Sequence, residues 1–160
     1  MIQNERDCRH EHVLDVARQM LTAARTAPKG KGIDVIEAAL VTGEDIKKLS
    51  EKMVAMVEEH GMKFFLRDAD NILQAECVIY NRYARADARY ELRTLRFSHL
   101  CRSSGGSALC LEYGGCRDSH RLGLCHGCRF EVDTRVMFSA GLAAQRLDWL
   151  KDARPSLPFR

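Results

Sequence analysis

The chain lacks any apolar run approaching the ~18 residues a membrane span needs, so no transmembrane segment is expected among its 160 residues. Its first ten residues are polar and charged, which argues against a secretory leader. The expectation is a cytoplasmic protein whose seven cysteines stay reduced. That argues against a disulfide framework and leaves metal, catalysis or accident as reasons for the thiols. With 25 basic against 22 acidic residues, the net charge of +3 is too small to imply nucleic acid. The length fits one domain.

A second set of absences is local. Residues 80–129 contain no Lys, Ile, Val, Met, Pro, Gln or Trp. They hold nine Arg, five of the seven Cys and four acids (Asp87, Glu91, Glu112, Asp118), a net +5 that leaves −2 for the rest. Without Ile or Val such a stretch cannot build an ordinary strand core. The single domain, 1–160, therefore divides into an α/β block over 1–79, an aberrant Arg/Cys-rich segment over 80–130, and a C-terminal helical block over 131–154. The middle segment is expected to be irregular or disordered.

What is present in the flanks is regular. Residues 4–27 read as a helix with Asn4 as N-cap and the stripe Val13, Ala17, Met20, Leu21 and Ala24. Pro28, Gly30 and Gly32 end it in a basic loop. A strand is expected over 36–41. A helix over 44–60 should follow, capped by Thr42 and Asp45, with the stripe Ile46, Leu49, Met53, Met56 and Val57 and with Gly61 just beyond its end. A short helix over 64–74 and a strand from Cys77 come next. A last helix over 133–150, capped by Asp133, should bury Val136, Ala140, Ala143, Leu147 and Leu150. The order predicts an α/β or α+β fold, helical blocks around a small sheet.

Four thiols in the aberrant segment, Cys110, Cys116, Cys125 and Cys128, with His120 and His126 among them, could form a zinc site, since zinc takes four N or S ligands. Only Cys125 and Cys128 have a standard spacing. Their arginine-rich context also fits a small nucleic-acid-binding module. Unligated cysteines in an irregular insert are the plain alternative, and a binding domain without any cofactor is a further one.

Arg9-His-Glu11, Thr22-Ala-Ala-Arg-Thr-Ala-Pro-Lys-Gly-Lys-Gly-Ile-Asp34, Val41-Thr-Gly-Glu44, Arg67-Asp-Ala-Asp-Asn71 and Val132-Asp-Thr-Arg-Val-Met-Phe-Ser-Ala-Gly-Leu-Ala-Ala144 resemble an uncharacterised prokaryotic family described as ferredoxin-domain-containing, with a four-iron cluster. The first βα portion also resembles the flavin-binding nitroreductase fold. The resemblance implies an iron–sulfur protein with an electron-transfer role and an unknown electron donor or acceptor. It also implies a [4Fe–4S] cluster held by cysteines. The nitroreductase likeness admits FMN, its phosphate facing Arg25, Lys29 and Lys31; a solvated basic loop is the alternative. A homodimer is compatible, no membrane is implied, and the sequence leaves open whether the protein is an enzyme.

Between the resembling blocks the family's cysteine motif and its glycine-rich apolar helix are missing. Writing residues 90–97 as degenerate codons and reading from the second base permits Met-Asn-Cys-Gly-His-Cys-Gly-Phe. The same displacement permits Asp-Val-Gly-Ile-Ala-Ile-Gly-Ser-Ala within 112–129. Leu92, Leu95, Leu100 and Leu109 become cysteines if their codons are CTG. Residues near 80–130 are thus expected to be translated out of frame. The copy should then be impaired, with ordered ends and no family ligand set on the printed cysteines.

Overall fold

Asn4 opens the first helix as its pattern requires: its Oδ1 accepts a hydrogen bond from the Arg6 amide at 3.1 Å, one of the donors a helix start leaves unpaired. Helix α1 runs Glu5–Arg25 and buries Cys8, Ala17, Met20 and Ala24. The computed structural model describes residues 2–29, 32, 34, 36–83 and 110–150, excluding the side chains of 60, 83 and 110–115. Strand β1 (Ile36–Val41) follows, then α2 (Glu44–His60), α3 (Phe64–Ile72) and strand β2 (Val78–Tyr83). Helices α4 (Cys110–Arg129) and α5 (Phe138–Arg146) complete the described elements. The class is mixed α/β, with β1 and β2 paired antiparallel, Ile36 opposite Tyr83 and Val41 opposite Val78.

The core forms where the apolar stripes meet. Ile46, Leu49, Met53 and Met56 of α2 pack with Phe65, Ala69 and Ile72 of α3, with Ala140, Ala143 and Ala144 of α5, and with Val41. Phe65, Met53 and Met56 are fully excluded from solvent. Every one of these residues comes from the flanks. Helix α4 packs instead on α1, with glycines at the contact: a Cβ on Gly123 would lie 3.3 Å from the Met20 carbonyl oxygen.

Several boundaries differ from the sequence expectation. Thr42 and Asp45 do not cap α2; Gly43 stands at the N-cap with φ of 58° and no side-chain cap bond forms. The left-handed corner needs a residue without Cβ, and glycine supplies it. Gly61 closes α2 in the same conformation, φ 67°, its amide bonding the Val57 carbonyl. Asp133 does not cap α5 either: the helix starts at Phe138 with Met137 as N-cap. Val132, Thr134 and Val136 precede it, and β-branched residues alternating with others favour extended chain. Val136, expected inside, is 61% exposed.

The stretch 80–130 is not irregular at its ends. Strand β2 reaches Tyr83, and α4 occupies 110–129. Helix α4 holds no proline or β-branched residue, while its four glycines each cost helix propensity; small residues along one side let it lie close to α1. The part of that expectation falling on 84–109 lies outside the described residues, as does the tail 151–160.

Candidate functional site

The loop after α1 folds back over the helix end because its charges have partners there. Lys29 Nζ donates to the Arg25 carbonyl oxygen, one of the acceptors a helix C-terminus leaves free. The Arg25 guanidinium donates to Asp34 Oδ2 at 3.0 Å and to the Ile36 carbonyl oxygen. Asp34 Oδ1 accepts from the Ile36 amide at 3.2 Å, which sets the start of β1. Lys29 Nζ lies 4.0 Å from Asp34 Oδ2, both side chains nearly buried. Arg25 makes both of these bonds through Nη1.

These groups line an open cavity of about 580 Å³ with Thr22 and Thr26 on its polar side and Leu21 and Ala38 on its apolar side. Gly32 forms part of the rim with φ of 71°. The volume is within the range of small-molecule sites, roughly 300–1,000 Å³. Among the described residues, two cations face one carboxylate there. That balance suits a phosphate monoester held by charge-assisted hydrogen bonds. Of the three expected phosphate contacts, Arg25 and Lys29 are brought together here, and Lys31 lies outside the described residues. Asp34, Thr22 and Thr26 were not anticipated from sequence. Asp34 ends the same resembling run, and an acid nine residues after Arg25 was the available signal.

The cysteines behave differently. Cys116, Cys125 and Cys128 sit on α4 with Cys110, and a straight helix spreads those four positions over ~27 Å. Cys125 and Cys128 are exposed one turn apart, whereas Cys116 is half-buried. Burial pushes the Cys116 thiol up from its ordinary pKa, away from the thiolate form that ligates metals. Among the described residues no three His, Cys, Asp or Glu side chains cluster closely enough to hold a metal ion. The described residues therefore do not fit a four-thiolate cluster, and no chemistry is derived through one. Among those residues, too, no helix is long and apolar enough to cross a membrane.

A second built group joins α3 to α5. Asp68, nearly buried, accepts from Ser139 Oγ at 2.7 Å and pairs with Arg67 at 3.0 Å, with Arg135 at 3.9 Å. Burial alone would raise its pKa, but the Ser139 hydrogen bond and the two arginines outweigh it and hold the carboxyl below its ordinary value.

Fold and pocket together define a small mixed α/β protein with a cation-lined cavity at the end of its first helix. A protein of Archaeoglobus fulgidus described as uncharacterized is 33% identical over 166 aligned residues, covering 92% of this chain and 85% of the archaeal one. The chain belongs to the family of that protein. No family model matches it, and no solved structure matches it.

Proposed function

We propose that the chain is a cytoplasmic redox protein of the ferredoxin-domain, nitroreductase-like kind, and that its cavity takes the phosphate of a flavin mononucleotide. The observation that carries this reading is the convergence of Arg25 and Lys29 on one cavity beside two threonines. The Arg25 guanidinium and the Lys29 ammonium hold the phosphate. The Thr22 and Thr26 hydroxyls, which donate to the Arg18 and Ala23 carbonyls, remain acceptors or can turn toward it. A bound flavin supplies electron transfer; the protein's share is to bind and orient it. Asp34 competes with the ligand for both cations and so sets the affinity. The cluster-bearing part of such a protein corresponds to the stretch in which this chain departs from the resembling family, so electron transfer is expected to be impaired here. Its donor or acceptor would be another redox carrier, and a homodimer is compatible with the reading.

Titration of the full chain with FMN, followed by quenching of flavin fluorescence, tests this. Lys29→Ala should weaken binding about tenfold, since a hydrogen bond to a charged group contributes roughly 1.5–3 kcal/mol. Asp34→Asn should tighten it, by freeing both cations. Inorganic phosphate should compete. If neither variant changes FMN affinity, the cavity is not the phosphate site.

A further inference from the structure

Cys125 and Cys128 stand three residues apart near the end of α4, and both are exposed. On a helix that spacing sets two Cβ atoms about 5–6 Å apart on one face. His126, between them in sequence, is directed elsewhere. Its ring packs on Phe130 with centroids 4.8 Å apart, and its Nε2 lies 3.2 Å from Gln19 Oε1 on α1. Among the described residues no third His, Cys, Asp or Glu joins the two thiols. The pair is therefore a two-donor sulfur site facing solvent.

The spacing and the number of donors decide what such a pair can hold. A disulfide needs Cβ atoms roughly 3.5–4.5 Å apart, closer than a regular helical turn brings them. An ion set between the two sulfurs spans the wider gap with two bonds of about 2.3 Å each, the length of a zinc–thiolate bond. Zinc in structural sites takes four protein ligands, and an iron–sulfur cluster takes four thiolates; two are offered here. Calcium and magnesium take oxygen donors. A soft ion that is satisfied by two sulfurs in line is what the geometry leaves, and thiolates favour Cu(I).

We propose that Cys125 and Cys128 form a two-thiolate site for one Cu(I) ion on the solvent face of α4. On binding, each thiol releases its proton to solvent, two sulfur–copper bonds form, and no electron is transferred. The loaded S–Cu–S unit then carries one negative charge. Arg121 and Arg129 lie four residues before and after Cys125, and both are exposed; residues four apart are neighbours on one helix face. Their guanidinium groups favour the anionic, loaded form over the neutral thiols. Exposure of both sulfurs lets the ion exchange with another thiol ligand without any opening of the helix. This inference uses neither the flavin nor the phosphate cavity, and it stands or falls separately from the functional reading above.

Anaerobic titration of the reduced full chain with Cu(I), supplied as its acetonitrile complex against a chromogenic Cu(I) chelator, tests it. One equivalent should bind tightest. Cys125→Ser and Cys128→Ser should each weaken that equivalent by roughly 10²–10⁴-fold, because the second bond closes within one molecule. Both side chains are exposed, so both variants should keep the thermal midpoint of the parent chain. Cys101→Ser, Cys110→Ser and Cys116→Ser should leave the tight equivalent in place, and copper-edge X-ray absorption should show two sulfur neighbours. Unchanged affinity in either Cys125→Ser or Cys128→Ser overturns the proposal. So does a third protein ligand on the copper, or loss of the tight equivalent in any of the other three variants. Zn(II) displacing Cu(I) from the pair would overturn the choice of ion.

Discussion

Ser139 and Ser119 are both fully buried serines on helices, yet among the described residues only Ser139 has a partner for its hydroxyl proton. Ser139 Oγ donates to a carboxylate that two arginines also hold, and the bond ties α5 to α3. Ser119 Oγ faces α4's packing partners with nothing to bond among the described residues. The serines have the same burial and the same chemistry, and they differ in whether a partner lies within reach among the described residues. The contrast extends to apolar contacts. Among the described residues, the core cluster draws on α2, α3, α5 and β1 and takes nothing from α4.

The largest expected effect sets these two regions side by side. Phe65 is fully buried at the centre of the α2–α3 contact. Phe65→Ala should destabilise the protein by about 3–5 kcal/mol through lost burial and the cavity left behind. Leu122, on α4, is 37% exposed and outside the core. Leu122→Ala should stay within about 0.5 kcal/mol. Denaturant unfolding of the two variants gives the comparison directly. A Leu122→Ala cost approaching that of Phe65→Ala would mean α4 contributes to stability as the flanks do.

Much of the fold was legible where pattern and selection agree. Of the stripe Ile46, Leu49, Met53, Met56 and Val57, the first four are buried and Val57 is partly buried against them, because a 3.6-residue period leaves one face for the core. Strand β1 falls on 36–41, and Asn4 caps α1. The start of α5 was not legible. Asp133 is a good cap by type, but extended β-branched chain continues to Met137, and the tertiary bond from Ser139 to Asp68 fixes where the helix begins. Helix α4 was missed because its residues carry no apolar stripe to read; what marks it is a run of small residues, visible only once α1 lies against it. Within the candidate site, Arg25 and Lys29 could be read from the basic loop, whereas Asp34 could not, since its role depends on the loop folding back.

The Asp68–Ser139 pair sharpens the comparison through pH. The folded pKa of Asp68 lies below its ordinary value, so the native state favours the carboxylate. Its contribution is complete above the ordinary carboxylate pKa of about 4 and is lost as pH falls through the lower folded value. Ser139→Ala removes one bond to a buried carboxylate and should cost about 1–3 kcal/mol at neutral pH. It should also move the acid-unfolding limb to higher pH, because the carboxyl then protonates more easily. Unfolding followed by circular dichroism from pH 7 downward checks both. The Ser119→Ala change, by contrast, should leave the acid limb where it is. A shift of that limb by Ser119→Ala would mean the α4 serine has a titrating partner.

The smallest effects lie on the face of α4 against α1, and they separate two glycines that look alike in sequence. Alanine is the better helix former by about 1 kcal/mol, so each Gly→Ala change begins with a gain that local contacts can cancel. At Gly127 the new methyl would meet the Met20 thioether, Sδ at 2.9 Å and Cε at 3.0 Å, with Thr134 Cγ2 at 3.4 Å. The thioether is the far end of a flexible side chain and can turn aside. Gly127→Ala should therefore be neutral or raise stability by about 0.5 kcal/mol. At Gly123 the nearest atom is the Met20 carbonyl oxygen at 3.3 Å, part of α1's backbone, which yields only if the helix itself shifts by a few tenths of an ångström. Gly123→Ala should gain less than Gly127→Ala, or lose slightly. Denaturant unfolding of the two variants checks the order: a Gly123→Ala gain above that of Gly127→Ala would mean that the α1 backbone gives way more readily than the Met20 thioether turns aside.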